Sequence, residues 1–106
     1  MTTTDKLSGL REILALDPRN SFARYGIAME LVSQGDIEAG LAEYDQLLEI
    51  DPDYVAAYFM SAQTLAAAGR IDEAKARLET GIGCAARAGN KHAMNEMQAT
   101  LDELSQ

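Results

Sequence analysis

The sequence predicts an all-α chain: a right-handed α-solenoid of antiparallel helix pairs, about six helices and no sheet. Three observations lead there. The pair Asp17-Pro18 returns as Asp51-Pro52 after 34 residues, and the residues before each pair correspond, Leu10-Arg11-Glu12-Ile13-Leu14-Ala15-Leu16 matching Tyr44-Asp45-Gln46-Leu47-Leu48-Glu49-Ile50. Apolar residues recur at helical spacing in the segments between these marks. Gly and Pro mostly punctuate those segments, β-branched residues are sparse, and no stretch alternates apolar and polar over strand length. A fixed period of this size means that each unit must stack on a neighbour to bury its apolar face.

The first helix is expected from about Asp5 to Leu16, with Leu7, Leu10, Ile13 and Leu14 on one stripe and residues 1 to 4 frayed. Thr4 is its expected cap, Asp5 suits the positive end of the dipole, and Pro18 stops the helix by disfavouring helical geometry at Asp17. The second helix begins after Asn20-Ser21 and ends near Gln34, with Gly35 as its stop. Asp36 caps a third, Ile37 to about Ile50. Gly40 inside it costs about 1 kcal/mol relative to Ala, which points to another helix passing close. Pro52 ends that element, Asp53 caps a fourth from about Tyr54 to Ala68, and Gly69 closes it. The fifth runs from about Ile71 to Arg87, with a bend or early fraying expected at Gly81 and Gly83. Asn90, after the break Ala88-Gly89-Asn90, caps a sixth, about Lys91 to Leu104, with Met94, Met97, Leu101 and Leu104 as its apolar positions. The expected organisation is one domain over residues 1–106: a half repeat (5–18), two repeats (19–52 and 53–88) and a terminal capping helix (90–105).

Composition narrows the function. At 106 residues the chain suffices for one small domain, and 47% apolar residues argue against disorder. A net charge of −8, with its nine cations scattered, argues against nucleic acid and against anionic membrane surfaces. No apolar run reaches the roughly 18 residues of a membrane span. Met1-Thr2-Thr3-Thr4-Asp5 lacks the regions of a signal peptide, so a cytoplasmic location is the expectation. Cys84 is the single cysteine, which excludes an intrachain disulfide.

The period and the residue types together resemble the tetratricopeptide repeat. That family's pattern sets a large residue, then Leu-Gly, then Tyr in the first helix of a unit, and Ala, an aromatic and Pro in the second. In the first full unit these places hold Arg24, Ile27-Ala28, Leu31, Gly40, Tyr44 and Pro52; in the next they hold Tyr58, Ser61-Ala62, Leu65, Ala74, Leu78 and Ala86. The turn Gly35-Asp36-Ile37 is echoed by Gly69-Arg70-Ile71. Small residues at 28, 40, 62 and 74 let paired axes approach, and large ones fill the remaining space. Departures are Arg24 in place of a large aromatic, Ser61 in place of Leu, and a second unit without its closing Pro. The resemblance covers about residues 5–88 and implies a protein-binding scaffold.

No constellation points to catalysis, a cofactor or a metal. His92 is the single histidine, separated from Cys84 by a chain break and without a third ligand. Carboxylate pairs such as Glu43 with Asp45, or Asp72 with Glu73, fall on polar positions of amphipathic helices, where a solvated face is expected rather than an acid and base held apart in a cleft. Gly81-Ile82-Gly83 lacks the strand-turn-helix context of a phosphate loop.

The informative surplus is apolar. On the second helix Arg24, Ile27, Ala28 and Leu31 form the stripe that the repeat packs internally; Phe22, Tyr25, Met29 and Val32 form another, turned by roughly 130°. In the resembled family the first helix of each unit lines a concave face, which here adds Ala56, Phe59, Gln63 and Ala66 from the fourth helix and extends to Ala93 and Met97 of the sixth. Some members grip a C-terminal carboxylate there with Lys, Asn and Arg; Tyr25, Met29, Phe59 and Gln63 occupy the corresponding places, so that chemistry is not expected. Met adapts to irregular ligands and aromatic anchors commonly carry binding energy. Two readings stay open: a non-enzymatic adaptor holding a peptide or helix of a protein partner in an apolar groove, and a structural unit that self-associates into a homo-oligomer. A third possibility, that the stripe simply covers the core, competes with both.

Overall fold

The computed structural model describes the backbone of residues 3–106 and the side chains from Lys6 onward. It contains six helices, α1 (Thr3–Leu16), α2 (Ser21–Ser33), α3 (Ile37–Ile50), α4 (Val55–Ala67), α5 (Ile71–Arg87) and α6 (Lys91–Leu104), with no strand among the described residues. They fall into two compact units, Met1–Pro52 and Asp53–Gln106.

Two of the expected helix starts move. Helix α1 begins two residues earlier than Asp5, so Thr3 and Thr4 are helical rather than frayed. Residues 1 and 2, and the side chains of Thr4 and Asp5 with their expected capping roles, lie outside the described residues. Helix α4 begins one residue later than expected: Tyr54 is its N-cap and no side chain caps it, while Asp53 turns to the Cys84 thiol, with Sγ 4.0 Å from Oδ1.

In the first unit α2 packs against both α1 and α3. Asn20 starts α2 by accepting from the Ala23 N–H at 2.9 Å, and Asp36 starts α3 by accepting from the Ala39 N–H. Between them Gly35 adopts φ +89°, a conformation that L side chains rarely adopt. Its N–H bonds to the Val32 carbonyl, and the Asp36 N–H reaches back to Leu31, closing α2 with a Schellman turn. Leu7 and Leu31 are buried around a fully enclosed Ile27, with Leu10 and Leu14 packed against them. Such an aliphatic side chain contributes roughly 1.5–3 kcal/mol on burial. Gly40 is a point of close approach, as its cost in a helix implies: a Cβ there would stand 2.5 Å from Val32 Cγ2 and 3.1 Å from the Ala28 carbonyl oxygen. Arg24, at the place of the aromatic, donates to Glu43 at 2.8 Å, so an ion pair holds α2 to α3 at that corner.

In the second unit α5 is the helix that packs against both others, and α4 also touches α6. Helix α5 runs unbroken through Gly81 and Gly83 over 17 residues, which corrects the expected early fraying there. Gly81 is a contact point instead. A Cβ there would stand 2.6 Å from Tyr58 Cβ and 2.7 Å from Met97 Sδ, so α4 and α6 both lean on the bare backbone of α5. Around it lie Tyr58, Ala62, Leu65, Ala74, Leu78, Cys84 and Met97, all buried. Ser61, fully enclosed, donates to the Ala57 carbonyl at 2.5 Å and accepts from Arg77 Nη1 at 3.1 Å. The hydroxyl that replaces Leu is thereby satisfied, as a buried polar group must be.

Candidate interaction surfaces

The second apolar stripe of α2 divides. Tyr25 and Val32 are half-buried toward α3: the Tyr25 ring meets Tyr44 edge-on, centroids 6.2 Å apart, and Val32 lies over Gly40. Phe22 and Met29 point outward, 73% and 40% exposed. Helical phase explains the split, because Phe22 and Met29 are seven residues apart and lie within about 20° of each other, while Tyr25 and Val32 rotate toward the partner helix. Helix α1 adds two exposed apolar side chains: Ile13, on its expected stripe, is 46% exposed, and Leu16, at its end and off that stripe, is 90% exposed. Their places one period on, Leu47 and Ile50, are enclosed and half-buried respectively.

In the second unit Phe59 is half-buried and Gln63 exposed. Phe59, Val55 and Ala56 of α4 face Ala93, His92 and Glu96 of α6 and Asn90 ahead of it, across a concavity of about 260 Å³. Met97, expected on this surface, is not there. Its side chain is fully enclosed against Gly81, because one further step along α6 rotates position 97 by about 100° from Glu96 and turns it onto α5. Val55, His92 and Glu96 were not singled out for this surface by sequence pattern, whereas Ala56 and Ala93 stand at places the resemblance puts on it.

His92, on the surface of α6, lies 3.2 Å from Glu96 across one turn, an ion pair only when the ring is protonated. Cys84 is buried and lines a second concavity of about 360 Å³ with Asp53, Arg87 and Ala88, so Cys84 and His92 open onto different cavities. No group of three or more metal-ligating side chains converges among the described residues. Burial, and secondarily Tyr25, raises the Tyr44 hydroxyl far above the ordinary tyrosine range; burial also raises Tyr58. The Arg70 guanidinium, hydrogen-bonded to Glu73 at 2.8 Å, lowers that carboxyl. Among the described residues no helix is long and apolar enough to cross a membrane.

Known proteins resemble the chain in both sequence and fold. The family model for the tetratricopeptide repeat matches residues 31–90. The TPR repeat-containing protein PA0015 of Pseudomonas aeruginosa is 31% identical over 98 residues, which span 92% of this chain and 93% of that one. The solution structure of a tetratricopeptide repeat domain protein from Salinibacter ruber is 30% identical, with a TM-score of 0.79 over 83% of this chain and 89% of its own. The type III secretion chaperone SycD of Yersinia enterocolitica, solved in complex with a peptide of the translocator YopD, superposes with a TM-score of 0.86 over 97% of this chain and 79% of its own; at 17% identity that likeness is one of fold. With helix pairs at the predicted period, small residues at the close contacts and a matching family model over more than half its length, the chain belongs to the tetratricopeptide repeat family.

Proposed function

We propose that this protein-interaction module binds a peptide or helix of a protein partner on an apolar surface and performs no catalysis. The observation that carries the reading is the concavity between α4 and α6, walled by Val55, Ala56 and Phe59. At about 260 Å³ it lies just below the roughly 300–1,000 Å³ typical of small-molecule sites, a size suited to one or two inserted side chains. Phe59 and Gln63 are the proposed contacts in this unit. Phe22 and Met29 are those in the other, with Tyr25 and Val32 supporting them from the α3 side. Met97 supports the surface only from within the core. The peptide held by SycD lends the peptide partner plausibility through likeness of fold.

The experiment is selection of 15-residue peptides from a displayed library against the whole chain, followed by Phe59→Ala. The expected result is a loss of affinity of at least about five-fold, typical of a removed aromatic anchor, with melting still cooperative. Selected peptides that bind the variant as tightly as the parent would place the site elsewhere.

One observation favours a second reading, self-association: α1 exposes Ile13 and Leu16 in a single stretch. Sedimentation velocity across a concentration series tests it. A dimer that Leu16→Glu dissociates would support this reading, and a monomer at every concentration would remove it.

A further inference from the structure

We infer that the α4–α6 concavity is built for a cationic amphipathic segment: one large apolar side chain seated against Phe59, and a lysine or arginine beside it that pairs with Glu96. This rests on the reading of the concavity as the binding site and specifies the partner's chemistry. The wall from α4 is wholly apolar, Val55, Ala56 and Phe59, and Ala93 continues it on α6. The polar atoms lie to one side. The Asn90 side chain is engaged in capping, accepting from the Ala93 N–H at 3.1 Å. The remaining polar lining is His92 with Glu96, whose side chain is 49% exposed and meets the imidazole through Oε1 at 3.2 Å. A ligand entering over Phe59 therefore meets the Glu96 carboxylate, beside which the His92 ring carries a positive charge only when protonated.

Long-range charge acts in the same direction. The unit that holds the concavity carries seven carboxylates against five cations, within a chain of net charge −8, which favours cationic segments over acidic ones at low ionic strength. An apolar anchor supplies affinity, and a rim charge supplies discrimination and salt dependence.

The test uses three labelled 15-residue helical peptides, measured by fluorescence anisotropy with the full chain in low and high NaCl. One carries leucines on one face and lysines beside them. The second replaces each lysine by glutamate, and the third replaces each leucine by alanine. The protein variants are Glu96→Gln, Glu79→Gln, Ala56→Lys and Phe59→Ala. Glu79 is exposed on α5 and absent from the concavity's lining, so its variant makes the same change in net charge away from the site. Ala56 is exposed, so its variant alters the concavity without opening the core and covers the case in which Phe59→Ala fails to fold.

Only the leucine–lysine peptide is expected to bind, more weakly in high salt. Glu96→Gln should weaken it roughly two- to five-fold, the size of one exposed ion pair, while Glu79→Gln leaves it unchanged. Ala56→Lys should abolish it. Equal binding of the lysine and glutamate peptides, or equal effects of the Glu96 and Glu79 variants, would overturn the cationic assignment; a concurrent loss in Ala56→Lys would leave the groove itself standing. If no leucine-bearing peptide binds, or if binding survives both Ala56→Lys and Phe59→Ala, the groove reading fails and the assignment with it.

Discussion

In the α1–α3 unit the helix that touches both others is α2; in the α4–α6 unit it is α5. Each unit is one helix pair of the 34-residue register plus a third helix, but the extra helix precedes the pair in one and follows it in the other. Helix α6 packs on α5 and also reaches α4. Helix α1 packs on α2 and leaves Ile13 and Leu16 exposed. Among the described residues all four exposed large apolar side chains, Ile13, Leu16, Phe22 and Met29, belong to the first unit. The first unit is also the more acidic, with ten carboxylates against four cations over residues 1–52, compared with seven against five over residues 53–106. A shared repeat thus produces two different surfaces, and what decides between them is which side of the pair the third helix covers.

The sharpest way to break this comparison is a matched truncation. Met97→Ala removes an enclosed side chain of the second unit and is expected to cost about 2–5 kcal/mol. Met29→Ala removes a 40%-exposed one of the first and is expected to stay within about 0.5 kcal/mol. Urea unfolding of both variants measures the difference, and equal costs would erase the distinction drawn between the units. Next in size is Gly81→Ala. Its Cβ would meet Tyr58 and Met97 well inside contact distance, so thermal melting is expected to show a loss of about 1–3 kcal/mol. Two residues on, Gly83→Ala meets nothing nearer than the flexible end of Arg87 at 3.5 Å. Relief of the glycine penalty in a helix should there raise stability by roughly 0.5–1 kcal/mol, the opposite sign. The smallest effect is a double-mutant cycle on Arg24 and Glu43, each to Ala. A coupling of about 0.2–1 kcal/mol is expected, falling in high salt.

Local punctuation made most of the fold legible. Asp36, Gly69 and Asn90 mark helix ends by chemistry confined to a few residues, and α3, α5 and α6 occupy their expected spans. The family pattern gave the close contact at Gly40, because a glycine mid-helix has few other reasons to persist. Long-range facts were less accessible. Arg24 and Ser61 read as departures because their partners, Glu43 and Arg77, lie 19 and 16 residues away and no periodicity links them. Gly81 carries the same signal as Gly40, yet two glycines close together read equally well as a weak helix. Of the expected surface residues, Phe22 and Met29 were placed outward by helical phase, whereas Met97 depended on how α6 rotates when it lands on α5. That rotation is set by the packing itself and leaves no local mark. Ile13 shows the converse: periodicity marks it for the apolar stripe and says nothing about whether a neighbouring helix exists to cover it.

The single backbone point at Gly81, touched from opposite helices by Tyr58 and Met97, also constrains how relatives of this chain diverge. Two side chains resting on one vacant Cβ position cannot drift independently of it. Among homologues, a larger residue at the place of Gly81 should arrive together with a smaller one at the place of Met97 and, because the Tyr58 contact is made by its Cβ, with glycine or a shifted backbone at the place of Tyr58, and rarely alone. Positions 58, 81 and 97, scattered across the sequence, would then evolve as one triplet, and an alignment of close relatives would reveal it as covariation.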